Sequence, residues 1–200
     1  MPDVAQPAAP QAEKRQDNLA EATPSSQASK EAETRTPPPS PESAQKVDRN
    51  ETIELDRTTP SGRPDVDALP RGTPTAIPPA QDAGGKRNLR RENEAAIILA
   101  KKGYDIEQNP AVPGGKKPDY RIEGRIFDGY APSTDKPAGI RKKMRKKVER
   151  GQADRIVLSM VDCPVEPDVI LRDLERHPHN RPKEVIMING DGDISRLWPR

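Results

Sequence analysis

The first 86 residues contain no aromatic side chain, and all five aromatic residues of the chain lie beyond them. The same stretch holds 14 of the 24 prolines. Burial of large apolar side chains is what offsets the loss of backbone entropy on folding, so a stretch without them cannot form its own core. We therefore predict that residues 1–86 are a disordered tether and that residues 87–200 form one small folded domain.

Other absences narrow the class of protein further. A single cysteine, Cys163, excludes an intrachain disulfide. No apolar run approaches the ~18 residues that a membrane-spanning helix requires. The N-terminus has neither the basic start nor the apolar core of a secretory signal peptide. The sequence predicts a soluble protein; export by another route, or origin as one piece of a longer polypeptide, stays open.

Charge is divided unevenly between the two halves. Residues 1–86 carry 10 basic and 14 acidic side chains, whereas residues 87–200 carry 24 and 18, a net charge of +6. A positive folded domain favours a polyanionic partner, although a surplus of this size is weak evidence by itself.

Residues 87–200 show the alternation of helix and strand patterns that is typical of an α/β domain with a small mixed sheet flanked by helices. The predicted order is α-β-ββ-α-β-α-ββ. The pattern predicts helices at 89–102, 137–150 and 168–176, strands at 104–106, 155–161, 185–188 and 194–198, and a two-stranded hairpin within 118–128. The run 155–161 is almost continuously apolar, as in a central strand that is buried on both faces.

Two aspartates stand at matching positions of the predicted hairpin. If Glu123-Gly124 is its turn, Asp119 faces Asp128. Directly opposed residues have Cβ atoms about 4.5–5.5 Å apart, where two carboxylates repel each other unless a cation lies between them. Oxygen ligands of this kind suit Mg²⁺. The alternative is a different register, in which both aspartates simply cap strand ends.

Charged residues on apolar helix faces supply further candidates. Lys147 follows Ile140 and Met144 along one stripe, whereas Lys146 points to the opposite side. Glu92 lies within the apolar stripe of the first helix, and Glu94 points further round. A charge on an apolar face is costly unless it has a partner or a role, although a lysine there can also extend its ammonium group to solvent.

Together these residues form a set that suits metal-assisted phosphodiester hydrolysis. The carboxylates would hold the ion, and the lysine would offset negative charge in the transition state.

A string of short motifs makes the chain resemble a known family, the C-terminal tRNA nuclease domain of contact-dependent growth inhibition toxins. In chain order they are Arg91-Glu-Asn-Glu-Ala-Ala96, Leu99-Ala-Lys-Lys-Gly-Tyr104, Gln108-Asn-Pro110, Lys117-Pro-Asp-Tyr120, Ile122-Glu-Gly124, Ile126-Phe-Asp128, Tyr130-Ala-Pro132, Lys147 and Gly151-Gln-Ala-Asp-Arg-Ile-Val-Leu158. The resemblance covers residues 88–199.

The resemblance implies a PD-(D/E)XK nuclease-like fold and an endoribonuclease that cleaves tRNA in competition between bacteria. It places the catalytic set at Glu92 (or Glu94), Asp119, Asp128 and Lys147, with Asp119 and Asp128 as ligands of a divalent metal. It also implies a cognate immunity protein, synthesis in a bacterial cytoplasm and delivery into a target cell.

One position departs from the general PD-(D/E)XK pattern. Tyr130 stands where a strand lysine is expected, two residues after the second acid, which favours Lys147 as the replacement. Gln152 is a further candidate beside the site, with a helix-to-strand turn role as its alternative. Two other functions compete with the tRNA nuclease: a nuclease of the same design that cleaves DNA, and a non-catalytic binding module.

Overall fold

The computed structural model describes residues 57–199, and within that range seven strands form one mixed sheet. The strands lie in chain order across the sheet. They are β1 (Arg71–Gly72), β2 (Ile106–Gln108), β3 (Tyr120–Ile122), β4 (Arg125–Tyr130), β5 (Arg155–Ser159), β6 (Glu184–Ile188) and β7 (Ile194–Trp198).

The directions of the strands follow from the lengths of their connections. Tight turns make β3–β4 and β6–β7 antiparallel, and β2–β3 is antiparallel as well. Helical crossovers make β4–β5 and β5–β6 parallel, as the chain geometry requires. The short β1 pairs in parallel with β2 at the edge of the sheet.

Three helices cover the two faces of this sheet: α1 (Ala83–Lys101), α2 (Pro137–Glu149) and α3 (Pro167–Arg176). Residues of α1 pack on one face with Val157 of β5, whereas residues of α2 and α3 pack on the other with Ile156 and Leu158. Strand β5 is therefore buried on both sides, as its apolar run predicts. None of the helices within 57–199 combines the length and apolar character that a bilayer crossing requires.

The first helix begins earlier than its apolar pattern predicts. Asp82 is the N-cap, and its carboxylate accepts a hydrogen bond of 2.6 Å from the backbone N–H of Gly85. The predicted start at residue 89 is therefore wrong by six residues, because the first turn, Ala83-Gly-Gly-Lys86, has no large apolar side chain and so no apolar periodicity. The predicted end is confirmed, since Gly103 follows the helix with a φ of 90°.

The segment before α1 lies against the domain, which differs from the predicted tether over residues 57–86. Thr58 is buried, and its backbone N–H and hydroxyl donate to the buried Glu184 at 2.9 and 2.6 Å. Gly62 donates a backbone hydrogen bond to Gly103 at 2.9 Å. Polar contacts, which a search for apolar side chains does not detect, hold this segment in place. Residues 1–56 of the predicted tether lie outside the described residues.

Candidate active site

The β3–β4 hairpin brings two aspartates together. Glu123 and Gly124 both have positive φ, 48° and 76°, as a two-residue turn of the hairpin type requires. Tyr120 pairs with Phe127, so the predicted register is confirmed. The carboxyl groups of Asp119 and Asp128 share a hydrogen bond.

The environment of Asp119 disfavours its ionised form. Burial raises the pKa of Asp119 well above its ordinary value; the hydrogen bond with Asp128 and the charges of Asp128 and Glu92 raise it further, and only Lys147 opposes them. The backbone N–H of Gly129 donates to the Asp119 carboxyl at 2.7 Å and fixes its position. Two carboxyl groups this close disfavour simultaneous ionisation, and this effect adds to that of burial on the pKa of Asp119.

Lysine 147 reaches the same pair from α2. Ile140 and Met144 anchor this helix on the sheet, and Lys147 continues their stripe. Its Nζ lies 2.7 Å from Oδ2 of Asp128, whose side chain is only 2% exposed. Lys146 is exposed, so the predicted opposition of the two lysines is confirmed.

The acid that α1 contributes is Glu92 and not Glu94. Glu92 is partly buried, and burial raises its pKa, while a hydrogen bond from Thr75 and the charge of Lys147 act in the opposite direction. The Tyr120 hydroxyl donates to the backbone carbonyl of Glu92 at 2.8 Å and ties the helix to the hairpin. Glu94 is exposed and pairs with Arg91 at 2.6 Å.

A cavity of about 270 Å³ lies between α1, α2 and the hairpin, and the buried Asp128 is not among the residues of its wall. Its wall includes Glu92, Asp119, Tyr130 and Lys147, which the sequence predicted. It also includes Asn88, Arg91, Lys143 and Ser159, to which the sequence analysis gave no role. Arg91 directly precedes Glu92 in one of the family motifs, and this position could have identified it as a residue of the cavity.

Arg91 is fixed by an acid that the sequence did not single out. Asp162 accepts two hydrogen bonds of 2.8 Å from Arg91, one at Nε and one at Nη2, and a third of 2.9 Å from Arg87. Such two-point pairing orients a guanidinium group, here at the cavity wall. Asp162 lies just beyond β5 and far from Arg91 in sequence, so the pairing depends on tertiary structure.

The remaining candidate is not at the cavity. The amide of Gln152 donates to the backbone carbonyl of Lys117 at 3.0 Å, and Gln152 borders a separate depression with Val112 and Lys116. The expectation that Gln152 lies beside the acids is not met in this structure. Its position after α2 orients it toward the loop that precedes β3, as the turn-residue alternative proposed.

Within residues 57–199, no three acidic, histidine or cysteine side chains are already arranged as a metal site. The donors at the cavity still fit Mg²⁺, which is commonly held by one or two carboxylates, with water and substrate phosphate as its other ligands. Asp119 and Asp128 supply two hard oxygen donors at hydrogen-bonding distance, and their mutual repulsion is what a cation would relieve.

The structure is a mixed α/β domain with a cavity lined by Glu92, Asp119 and the partly buried Lys147. Residues 116–194 match the family described as the contact-dependent growth inhibition CdiA C-terminal domain. The chain is 39% identical over 142 residues to a protein of Burkholderia pseudomallei (strain 1026b) named tRNA nuclease CdiA-2. That match covers 71% of this chain but 4% of the relative's length.

A solved structure shows the same fold. It is described as a CdiA-CT/CdiI toxin and immunity complex from Burkholderia pseudomallei, and one of its chains is 42% identical to this one with a TM-score of 0.61. The similarity covers 64% of this chain and 97% of that chain. This chain belongs to the family of contact-dependent growth inhibition CdiA C-terminal domains, which confirms the resemblance that the motifs indicated.

Proposed function

We propose that this chain is a metal-dependent endoribonuclease toxin of the PD-(D/E)XK class that hydrolyses phosphodiester bonds of tRNA. The observation that carries the proposal is the cluster of Asp119, Asp128 and Lys147, of which Asp119 and Lys147 line one cavity. The relative named tRNA nuclease CdiA-2 supports tRNA as the substrate.

Each residue has a role that follows from its surroundings. Asp119 and Asp128 are the ligands of a divalent metal, Mg²⁺, which when bound supplies Lewis-acid polarisation of the phosphate and activation of water. Glu92 is a third acid in the cluster, and its carboxylate is a proton acceptor beside Asp119 and Asp128. Lys147 holds its ammonium group 2.7 Å from Oδ2 of Asp128 and offsets the negative charge that develops on the phosphate.

The cavity wall also fits a nucleic-acid backbone. Arg91 and Lys143 present positive charge at its rim, and residues 87–200 carry a net charge of +6. The chain has only five aromatics, so stacking on unpaired bases contributes little. Recognition therefore relies on the shape of the folded RNA and on contacts with its phosphates.

A toxin of this kind requires a partner that blocks it in the cell that makes it. The solved relative is described as a complex of toxin and immunity protein. By this relationship we propose a cognate immunity protein for this chain, and delivery of the nuclease into the cytoplasm of a target cell.

Incubation of the protein with total tRNA and with plasmid DNA tests the proposal, with Mg²⁺ or with EDTA. We expect cleavage of tRNA in Mg²⁺ only. Cleavage of the plasmid with intact tRNA would favour a DNase instead, and no cleavage of either substrate would favour a binding module.

A further inference from the structure

The loop that precedes α1 reaches the candidate active site at Thr75. The backbone N–H of Thr75 donates to Oδ1 of Asn93 at 2.9 Å, and Nδ2 of Asn93 donates back to the Thr75 carbonyl at 2.9 Å. One amide side chain of α1 thus holds the Thr75 backbone at both its donor and its acceptor. Because Asn93 directly follows Glu92, Thr75 is fixed beside that acid.

The direction of the Thr75 hydroxyl follows from a second amide, that of Asn109. Its Nδ2 donates to the Thr73 carbonyl at 2.7 Å and to the Thr75 hydroxyl oxygen at 2.9 Å. A carbonyl can only accept, so the atom that faces both groups is the nitrogen. The hydroxyl oxygen therefore accepts from Asn109, and its proton is directed to Oε1 of Glu92, with which it makes a hydrogen bond.

Gln108 completes the network. Its side chain is buried, and its Nε2 donates to Oδ1 of Asn93 at 2.5 Å. Gln108 and Asn109 belong to one of the family motifs, yet neither borders the cavity. Their contacts explain what that motif does: it connects the end of β2 to Asn93 and to Thr75, and Thr75 in turn contacts Glu92.

We propose that Thr75 is a positioning residue that orients the Glu92 carboxylate, and that the loop before α1 is therefore part of the active enzyme. This inference rests on the proposed nuclease function. Glu92 is a flexible side chain, and misplacement of a reacting group by about 1 Å can cost about 100-fold in rate. Loss of the Thr75 hydroxyl should thus lower kcat and leave KM almost unchanged, because Glu92 acts on the reaction and not on docking of the RNA.

Three variants of the full chain test this role. T75V keeps the shape of the side chain and removes its hydroxyl, T75S keeps the hydroxyl, and S61A removes a matched hydroxyl from the same segment. Ser61 donates to Glu123 at 3.1 Å, away from the cavity. We expect kcat for tRNA cleavage to fall about 10- to 100-fold in T75V. It should stay within about twofold of wild type in T75S and in S61A.

The inference is overturned if T75V retains wild-type kcat while E92Q is inactive, or if T75S is impaired as much as T75V. Crystal structures of T75V and T75S give a readout that does not depend on activity. We expect Glu92 to keep one side-chain conformation in T75S and to leave it, or to adopt several, in T75V. An unchanged Glu92 in T75V would refute the positioning role even if the wild-type protein cleaves no tRNA. A wild-type protein that cleaves no tRNA would refute the proposed function and leave the positioning role of Thr75 to be decided by the crystal structures.

Discussion

Asp119 and Asp128 are the same residue type in opposite electrostatic situations. Asp128 is buried and has the ammonium group of Lys147 at 2.7 Å. Asp119 has a backbone N–H as its donor and two negative neighbours, and burial is the largest cause of its raised pKa. The pair is therefore asymmetric: one carboxyl is stabilised by its neighbours and the other is destabilised when it ionises.

Neutralising each aspartate separately should reveal this asymmetry. At pH 8 and without metal, D119N should unfold at the same or a higher temperature than wild type, because wild type must either take up a proton at Asp119 on folding or bury its charge, and the amide avoids both costs. D128N should lose about 1–3 kcal/mol of unfolding free energy, because it leaves the buried end of Lys147 without its counter-charge. Denaturant titrations measure both changes. Equal destabilisation by the two substitutions would contradict the assignment.

The raised pKa of Asp119 also predicts how stability depends on pH. The folded protein holds this proton at pH values where the unfolded chain has lost it. The stabilisation is complete below the ordinary Asp pKa of about 3.9 and is lost as the pH rises through the raised folded value. In EDTA, the unfolding free energy of wild type should therefore fall relative to that of D119N as the pH rises across this window. A difference that does not change with pH would show that Asp119 is ionised normally.

Much of this chemistry was accessible from the sequence, and some was not. The hairpin register follows from the turn at Glu123-Gly124, so the meeting of the two aspartates could be predicted. The helical stripe that ends in Lys147 was equally clear. Thr75 and Asp162 could not be found this way, because both reach the site through contacts that are distant in sequence.

At the scale of helices and strands, polar contacts set some of the boundaries that apolar periodicity does not predict. The apolar stripe of α1 begins near residue 89, but the Asp82 cap begins the helix at Ala83. Strand β1 consists of two exposed residues, so its sequence has no alternating pattern. It forms because the edge of β2 offers backbone hydrogen-bond partners. By contrast, β5 and β7 are apolar or alternating in the sequence itself, and their predicted positions agree with the structure.

The C-terminal end of α1 offers a test at this scale. Gly103 has a φ of 90°, and a Cβ there would lie 2.5 Å from the carbonyl oxygen of Gly62. G103A should therefore destabilise the protein by more than about 1 kcal/mol, since it strains the backbone and displaces the preceding segment. Gly190 is the matched control, because its Cβ would meet no neighbouring atom. Thermal unfolding should show no loss in G190A, and a similar loss in both variants would contradict this packing.

On the scale of the whole molecule, the segment 57–86 cannot fold alone but is held by the domain. Its lack of aromatics predicts that it has no core of its own. The buried Glu184 accepts two hydrogen bonds from Thr58, and two arginines, Arg155 and Arg196, lie within 3.5 Å of its carboxylate. Amino-acid composition predicts whether a segment can form its own core, but it does not predict whether the segment can pack against a folded domain.

Two fragments compare the contributions of this segment. A fragment of residues 87–200 should be less stable than one of residues 57–200, because it lacks the helix cap and leaves Glu184 without its Thr58 donors. Each lost donor to a buried charge costs about 1–3 kcal/mol. Identical melting temperatures for the two fragments would show that the segment only rests on the surface.

The central claim is that one lysine acts at a built site, as opposed to a basic surface that merely attracts RNA. Single-turnover cleavage of tRNA in Mg²⁺ by K147A and K146A tests it most directly, since the two lysines are neighbours and face opposite sides of α2. The account predicts that K147A loses about 100-fold or more in rate. K146A should stay near wild type, and added salt should not rescue K147A. If both substitutions lowered the rate equally and modestly, and added salt masked both effects, the result would contradict a specific role for Lys147.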